Sequence, residues 1–236
     1  MVLAYSKRLR SHFIQGTYSG QLVDYDSFWS LIVRMARCSE INLQCSSGKS
    51  SLHGRSNDGF RCRKKETLEH VIGFCSQGEL LRNTRHNNIR AFLAKELRLK
   101  GLEVFEEVQC TGDNDSIRRK DIIAINKHSK TAFILDQTIR FEKSDGQPEE
   151  VDEEKKKIYE PTIRYFLNKC KLHQIEVIGL MIGARGTIPK FFVQFYKRFK
   201  LSSKCIDNVA IMASKVSVTI FRNHLYGERR NEFNKK

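Results

Sequence analysis

The chain has 236 residues, 40% of them hydrophobic, enough apolar material for one or two packed domains, which excludes a wholly disordered tail. Lys+Arg 42 against Asp+Glu 27 leaves a formal net charge of +15, an excess that favours polyanions, nucleic acid foremost, through salt-sensitive attraction. No run approaches the length of a membrane span and the N-terminus lacks an apolar signal region, so a soluble intracellular protein is expected.

Residues 1–58 read as a helical lead-in and linker. "YDSFWSLIVRMAR" carries Phe28, Leu31, Ile32 and Met35 at helical spacing, and the Ser- and Gly-rich stretch from Ser46 to Gly59 predicts a loop and a boundary. Residues 59–84 follow, with Cys62, His70 and Cys75 spaced C-x7-H-x4-C and a helix expected from Thr67 to Phe74. The seven cysteines are odd in number and irregularly spaced, so a metal site or free thiols are expected in place of a disulfide framework.

Residues 85–236 form the longest segment. In "RHNNIRAFLAKELRLKG", Ile89, Phe92, Leu93 and Leu97 share one helical face and Gly101 is a natural stop. "LEVFEEVQC" reads as a strand. "SIRRKDIIAINKHSKTAFILDQTIRFEKS" reads as a hairpin of two β-branched strands joined by the polar turn "KHSK". The acidic-then-basic run around "EEVDEEKKKIYEPTIRYFLNK" reads as a helix that Pro161 kinks or restarts, and "IEVIGLMIGA" as a buried strand. Basic helices close the chain. The expected class is α/β (α+β), in the order helix, three strands, helix, strand.

The hairpin places one aspartate in each strand. Pairing Asn126 with Thr131 fixes a register that, continued along the ladder, sets Asp121 opposite Asp136, with Cβ atoms roughly 4.5–5.5 Å apart. Facing like charges destabilise a sheet unless something compensates, and a divalent cation does so. Mg²⁺ is held by one or two carboxylates plus water and phosphate oxygens, so the pair reads as half of a phosphodiester-cleaving centre. Glu107 is a candidate third acid, although Glu103 and Glu106 would serve equally well. Among Lys155, Lys156 and Lys157 of the next helix, Lys155 shares a face with Tyr159 at i, i+4 and is the candidate to support charge on an attacked phosphate. A plainer alternative pairs Asp136 with Arg140 or Arg119 and leaves the lysines as a solvated face answering the acids from Glu149 to Glu154.

Taken together, "CRKKETLEHVIGFC", "RHNNI", "RRKDIIAI", "AFILDQTIRFE", "EEKKKIY" and "GLMIGARG" occur in the order found in a family. The sequence resembles the C-terminal region of site-specific non-LTR retrotransposon polyproteins, in which a Cys/His knuckle precedes a restriction-enzyme-like endonuclease. The resemblance runs from about Ile41 to the C-terminus. It implies a PD-(D/E)xK core that nicks target DNA in the nucleus so that the freed end primes reverse transcription, with an upstream polymerase and element RNA as a further partner. It implies Asp121 and Asp136 as ligands of Mg²⁺ or Mn²⁺, Lys155 as a catalytic lysine displaced onto the helix, and Arg85, His86 and Asn87 near the cleft. It further implies Zn²⁺ on Cys62, His70 and Cys75.

Two positions depart from the family. Lys120 stands where a proline precedes the first acid, and Gly59 stands where the knuckle has another cysteine. A structural zinc site then needs a fourth donor, such as His53 or Cys45, or else His70 and the two cysteines pack as ordinary core. The reading is a metal-dependent DNA endonuclease from a truncated element. The alternatives are a catalytically inactive nucleic-acid-binding remnant and a fragment that binds no nucleic acid.

Overall fold

The computed structural model describes residues 67–113, 115–202 and 204–226. The helix expected between Tyr25 and Arg37, the Ser/Gly boundary, Cys62, and the alternative donors His53 and Cys45 lie outside them. Val71 onward belongs to one compact unit, and the few described residues before it belong to another. In the latter, the His70 amide donates to Thr67 Oγ1 at 3.1 Å.

The compact unit is α+β, with a four-stranded mixed sheet and helices on both faces. A π turn (His70–Phe74) and a 3-10 turn (Ser76–Gly78) lead into α1 (Glu79–Arg98). Strands β1 (Glu103–Thr111), β2 (Ile117–Asn126) and β3 (Thr131–Arg140) form an antiparallel meander. Helix α2 (Gln147–Tyr159), a 3-10 turn at Glu160–Thr162 and α3 (Ile163–Cys170) cross over to β4 (Gln174–Gly183), which runs parallel to β3. Pro161 sits in that 3-10 turn, so the helix restarts there. Helices α4 (Lys190–Arg198) and α5 (Cys205–Tyr226) follow.

Local chemistry accounts for most of these boundaries. Ile89, Leu93 and Leu97 give α1 a buried stripe, and Gly101, at φ 80°, turns the chain out of its last turn into β1. At the β2–β3 turn, Asn126 Oδ1 accepts from the amides of His128 at 3.0 Å and Ser129 at 3.3 Å, and Lys130 adopts φ 52° to close the loop. The resulting register pairs Asn126 with Thr131 and Ile122 with Leu135, as the sequence predicts.

Alternation divides the core. Ile122, Ala124, Leu135, Ile178, Leu180 and Ile182 face α1, α4 and α5, whereas Ile123, Ile125, Ala132, Ile134 and Val177 face α2 and α3. The β1–β2 ribbon breaks this rule at one place. Val104 lies with the first group and Cys110 with the second, although an even offset of six positions along one strand should keep them on the same face. Pairing is interrupted between Glu106–Ile122 and Val108–Lys120, where Glu107 adopts φ 54°. Both strands exchange faces at that point, which is the point opposite Asp121.

Candidate active site

Asp136 is interior to β3 and only 5% exposed. Its Oδ1 lies 2.9 Å from Lys155 Nζ, and its Oδ2 accepts from the Tyr159 hydroxyl at 2.5 Å. Tyr159 Oη is also 3.1 Å from the Arg119 carbonyl, so it ties α2 to β2 as well as β3. Burial, reinforced by the charge of Asp136, pushes the Tyr159 hydroxyl well above its ordinary range, so it stays protonated and donates. Both helical partners come from one face of α2, as the four-residue spacing requires.

What brings α2 close enough is a glycine. Asp136 is in register with Gly179 of β4, and a Cβ there would lie 2.8 Å from Asp152 Cα, 2.9 Å from Lys155 Cγ and 2.9 Å from the Val151 carbonyl. The Gly179 amide donates to Asp152 Oδ1 at 2.8 Å, fastening the helix at that spot. Lys156 points elsewhere, to Asp152 at 2.6 Å and Glu153 at 3.1 Å. The sequence reading missed Gly179 as a positioning residue. Its signal was an isolated glycine within an apolar strand run, which marks a close backbone approach.

Asp121 sits at the crossover of the β1–β2 ribbon, immediately beyond the Ile122–Leu135 pair at which the β2–β3 pairing ends. Its Oδ2 lies 3.1 Å from His86 Nε2 of α1, which is also 3.1 Å from the Gln137 carbonyl. A proton on Nε2 serves both of these acceptors, and the Gln137 side-chain amide nitrogen lies 3.3 Å from the same atom. Burial opposes charge on His86, but the hydrogen bond and charge of Asp121 outweigh it and raise its pKa above 6.5.

The other candidates distribute differently. Glu107 ion-pairs with Arg90 at 2.5 Å and Arg119 at 3.3 Å, Glu106 with Arg98 at 2.9 Å, and Glu103 with Lys127 at 3.0 Å. Arg140 is bound to Glu154 at 2.7 Å, so neither arginine proposed for Asp136 is its partner. Arg85, expected near the cleft, instead lies buried between α1 and α5. It donates to Ser217 Oγ at 2.5 Å and reaches the Ile72 carbonyl at 3.5 Å, and burial, with Arg82 nearby, lowers its pKa to about 10. Asn87 accepts from Arg90 at 3.1 Å. Cys75 is buried with its Sγ 3.6 Å from His224 Nδ1 of α5, a pairing across the chain that no local spacing announces.

Among the described residues, no group of three or more His, Cys, Asp or Glu side chains is arranged to hold a metal ion. The carboxylates of Asp121 and Asp136 are nevertheless hard oxygen donors of the type Mg²⁺ takes when water and phosphate complete its shell. The described residues also contain no helix long and apolar enough to cross a membrane. Comparison with known protein families and with curated proteins finds no match to this chain.

Proposed function

We propose that the chain is a metal-dependent DNA endonuclease with a PD-(D/E)xK core, in which Asp121, Asp136 and Lys155 form the site. The observation that carries the reading is the convergence on β2 and β3: two aspartates flanking the end of the β2–β3 pairing, with the Lys155 ammonium 2.9 Å from one of them. Asp121 and Asp136 would hold Mg²⁺ or Mn²⁺, which when bound supplies Lewis acidity toward a phosphodiester and a more acidic water. Lys155 brings a positive charge to the same place and is suited to stabilise charge developing on phosphate oxygens. Tyr159 fixes the Asp136 carboxylate, and His86 fixes that of Asp121. The net charge of +15 supports a nucleic-acid backbone as the partner. Target-site nicking for reverse transcription, with element RNA as a second partner, belongs to the same proposal, as does zinc on the C-x7-H-x4-C spacing.

A second reading, a nucleic-acid-binding remnant without catalysis, is favoured by the engagement of Glu107 with two arginines, which leaves a pair of acids at the centre in place of three. Nicking of supercoiled plasmid with Mg²⁺ or Mn²⁺ separates the two. Wild type is expected to nick, and Asp121→Ala to lose on the order of a hundredfold or more in rate. Equal nicking by both proteins removes the site assignment, and absence of nicking by wild type with retained DNA binding selects the remnant.

A further inference from the structure

Among the described residues, no acid forms an ion pair with Lys120. It is 0% exposed, its Nζ lies 4.9 Å from the centroid of Phe166 and 5.5 Å from that of Tyr159, and it meets Cys110 Sγ at 2.5 Å. Cys110 is itself buried. The exchange of faces at Glu107 explains the placement. In an unbroken strand Lys120 would share the α1 face with Ile122, but beyond the break it turns with Cys110 into the cluster under α2 and α3. The two residues are diagonal neighbours there, since Lys120 pairs with Val108 and Cys110 with Arg118.

An ammonium buried without a carboxylate is costly. An amine in contact with a thiol is a pair of nucleophiles that oxidation can join. Their separation is too long for a direct N–S bond and shorter than an ordinary N–H to sulfur hydrogen bond. It matches the span of a single oxygen atom inserted between nitrogen and sulfur.

We propose that Cys110 and Lys120 are the two ends of a reversible oxidative crosslink, Nζ–O–Sγ, formed with molecular oxygen as the oxidant. One oxygen atom enters the bridge and the other leaves as water. Of the three hydrogens on amine and thiol, two depart in that water and one stays on nitrogen. Nitrogen and sulfur each give up two electrons, which together supply the four that reduce dioxygen. Reduction by excess dithiol returns amine, thiol and water. The bridge staples β1 to β2 one residue from Asp121, beneath the Tyr159 ring, and makes the ribbon bearing the candidate site sensitive to oxidants.

The test is intact-mass and peptide-map analysis of the full chain purified anaerobically, then exposed to air-saturated buffer. The expected product gains one oxygen and loses two hydrogens, contains a peptide bearing Cys110 joined to one bearing Lys120, and reverts with dithiothreitol. Cys110→Ser and Lys120→Met are each expected to abolish that species, while Cys170→Ser, which removes an exposed thiol, leaves it intact. Loss of two hydrogens without gain of oxygen would indicate a direct N–S bond. Oxygen added to Cys110 alone would indicate a sulfur oxyacid. Either result, or an unchanged Cys110 peptide, overturns the proposal. The wild-type peptide map decides the matter even where a variant fails to fold.

Discussion

Asp136 and Asp121 lie just beyond the last pair of one hairpin but are held by different means. Asp136 is enclosed by α2, with a lysine on one oxygen, a tyrosine hydroxyl on the other, and a glycine behind it that lets the helix rest on β4. Asp121 lies where the β1–β2 pairing is interrupted, more open to solvent, and its partner is a histidine whose charge depends on pH. Identical side chains at the same end of one hairpin thus acquire unlike environments because different helices supply their partners. One carboxylate is built into the core and the other is adjustable.

Substitution by the isosteric amide should expose this asymmetry most clearly. Asp136→Asn leaves Lys155 charged and largely buried without a counter-ion, so unfolding in urea should show a loss of about 3 kcal/mol. Asp121→Asn should cost at most about 1 kcal/mol, since its partner is partly solvated and able to lose its proton. Equal losses would break the comparison.

The next largest effect concerns the glycine. Gly179→Ala places a methyl against Asp152 Cα and the Val151 carbonyl, which are backbone and cannot swing aside. A loss of roughly 1–3 kcal/mol is expected from overpacking. Because α2 must retreat to make room, nicking should fall further than the stability loss explains. An alanine variant with full stability and full nicking would show that close approach of α2 is not what positions Lys155.

The smallest effect is a pH dependence. The folded pKa of His86 is raised above its ordinary 6.5, so folding binds a proton more tightly than the unfolded chain does. The His86–Asp121 contribution is therefore fully present below pH 6.5 and fades as pH rises through the folded-state pKa. Comparing wild type with His86→Gln from pH 5.5 to 8.5 should show a difference of under about 1 kcal/mol that shrinks toward alkaline pH. A difference that grows with pH would reverse the assigned sign.

Much of this arrangement is local and was readable from the chain. Asn126 carries the turn chemistry that closes the β2–β3 hairpin, and a side-chain period of two then carries the register as far as Ile122 and Leu135, the residues next to the aspartates. The spacing of Lys155 and Tyr159 likewise selects one helical face, and both residues do meet Asp136. Arg85 shows the limit of such reasoning. It adjoins His86 in sequence, yet successive helical residues point about a third of a turn apart. One reaches the carboxylates and the other is buried against Ser217 of α5.

By itself, then, the sequence determined the α/β alternation, the hairpin register and the helical face that carries the lysine, because each depends on contacts between residues near one another along the chain. Tertiary structure alone decided that Gly179 admits α2, that His86 meets Asp121, that Glu107 is taken by Arg90 and Arg119, and that Lys120 turns inward onto Cys110. Those outcomes depend on which helix lies over which strand and on where a ribbon exchanges its faces. Packing across the sheet sets both, and no periodicity in the sequence records them.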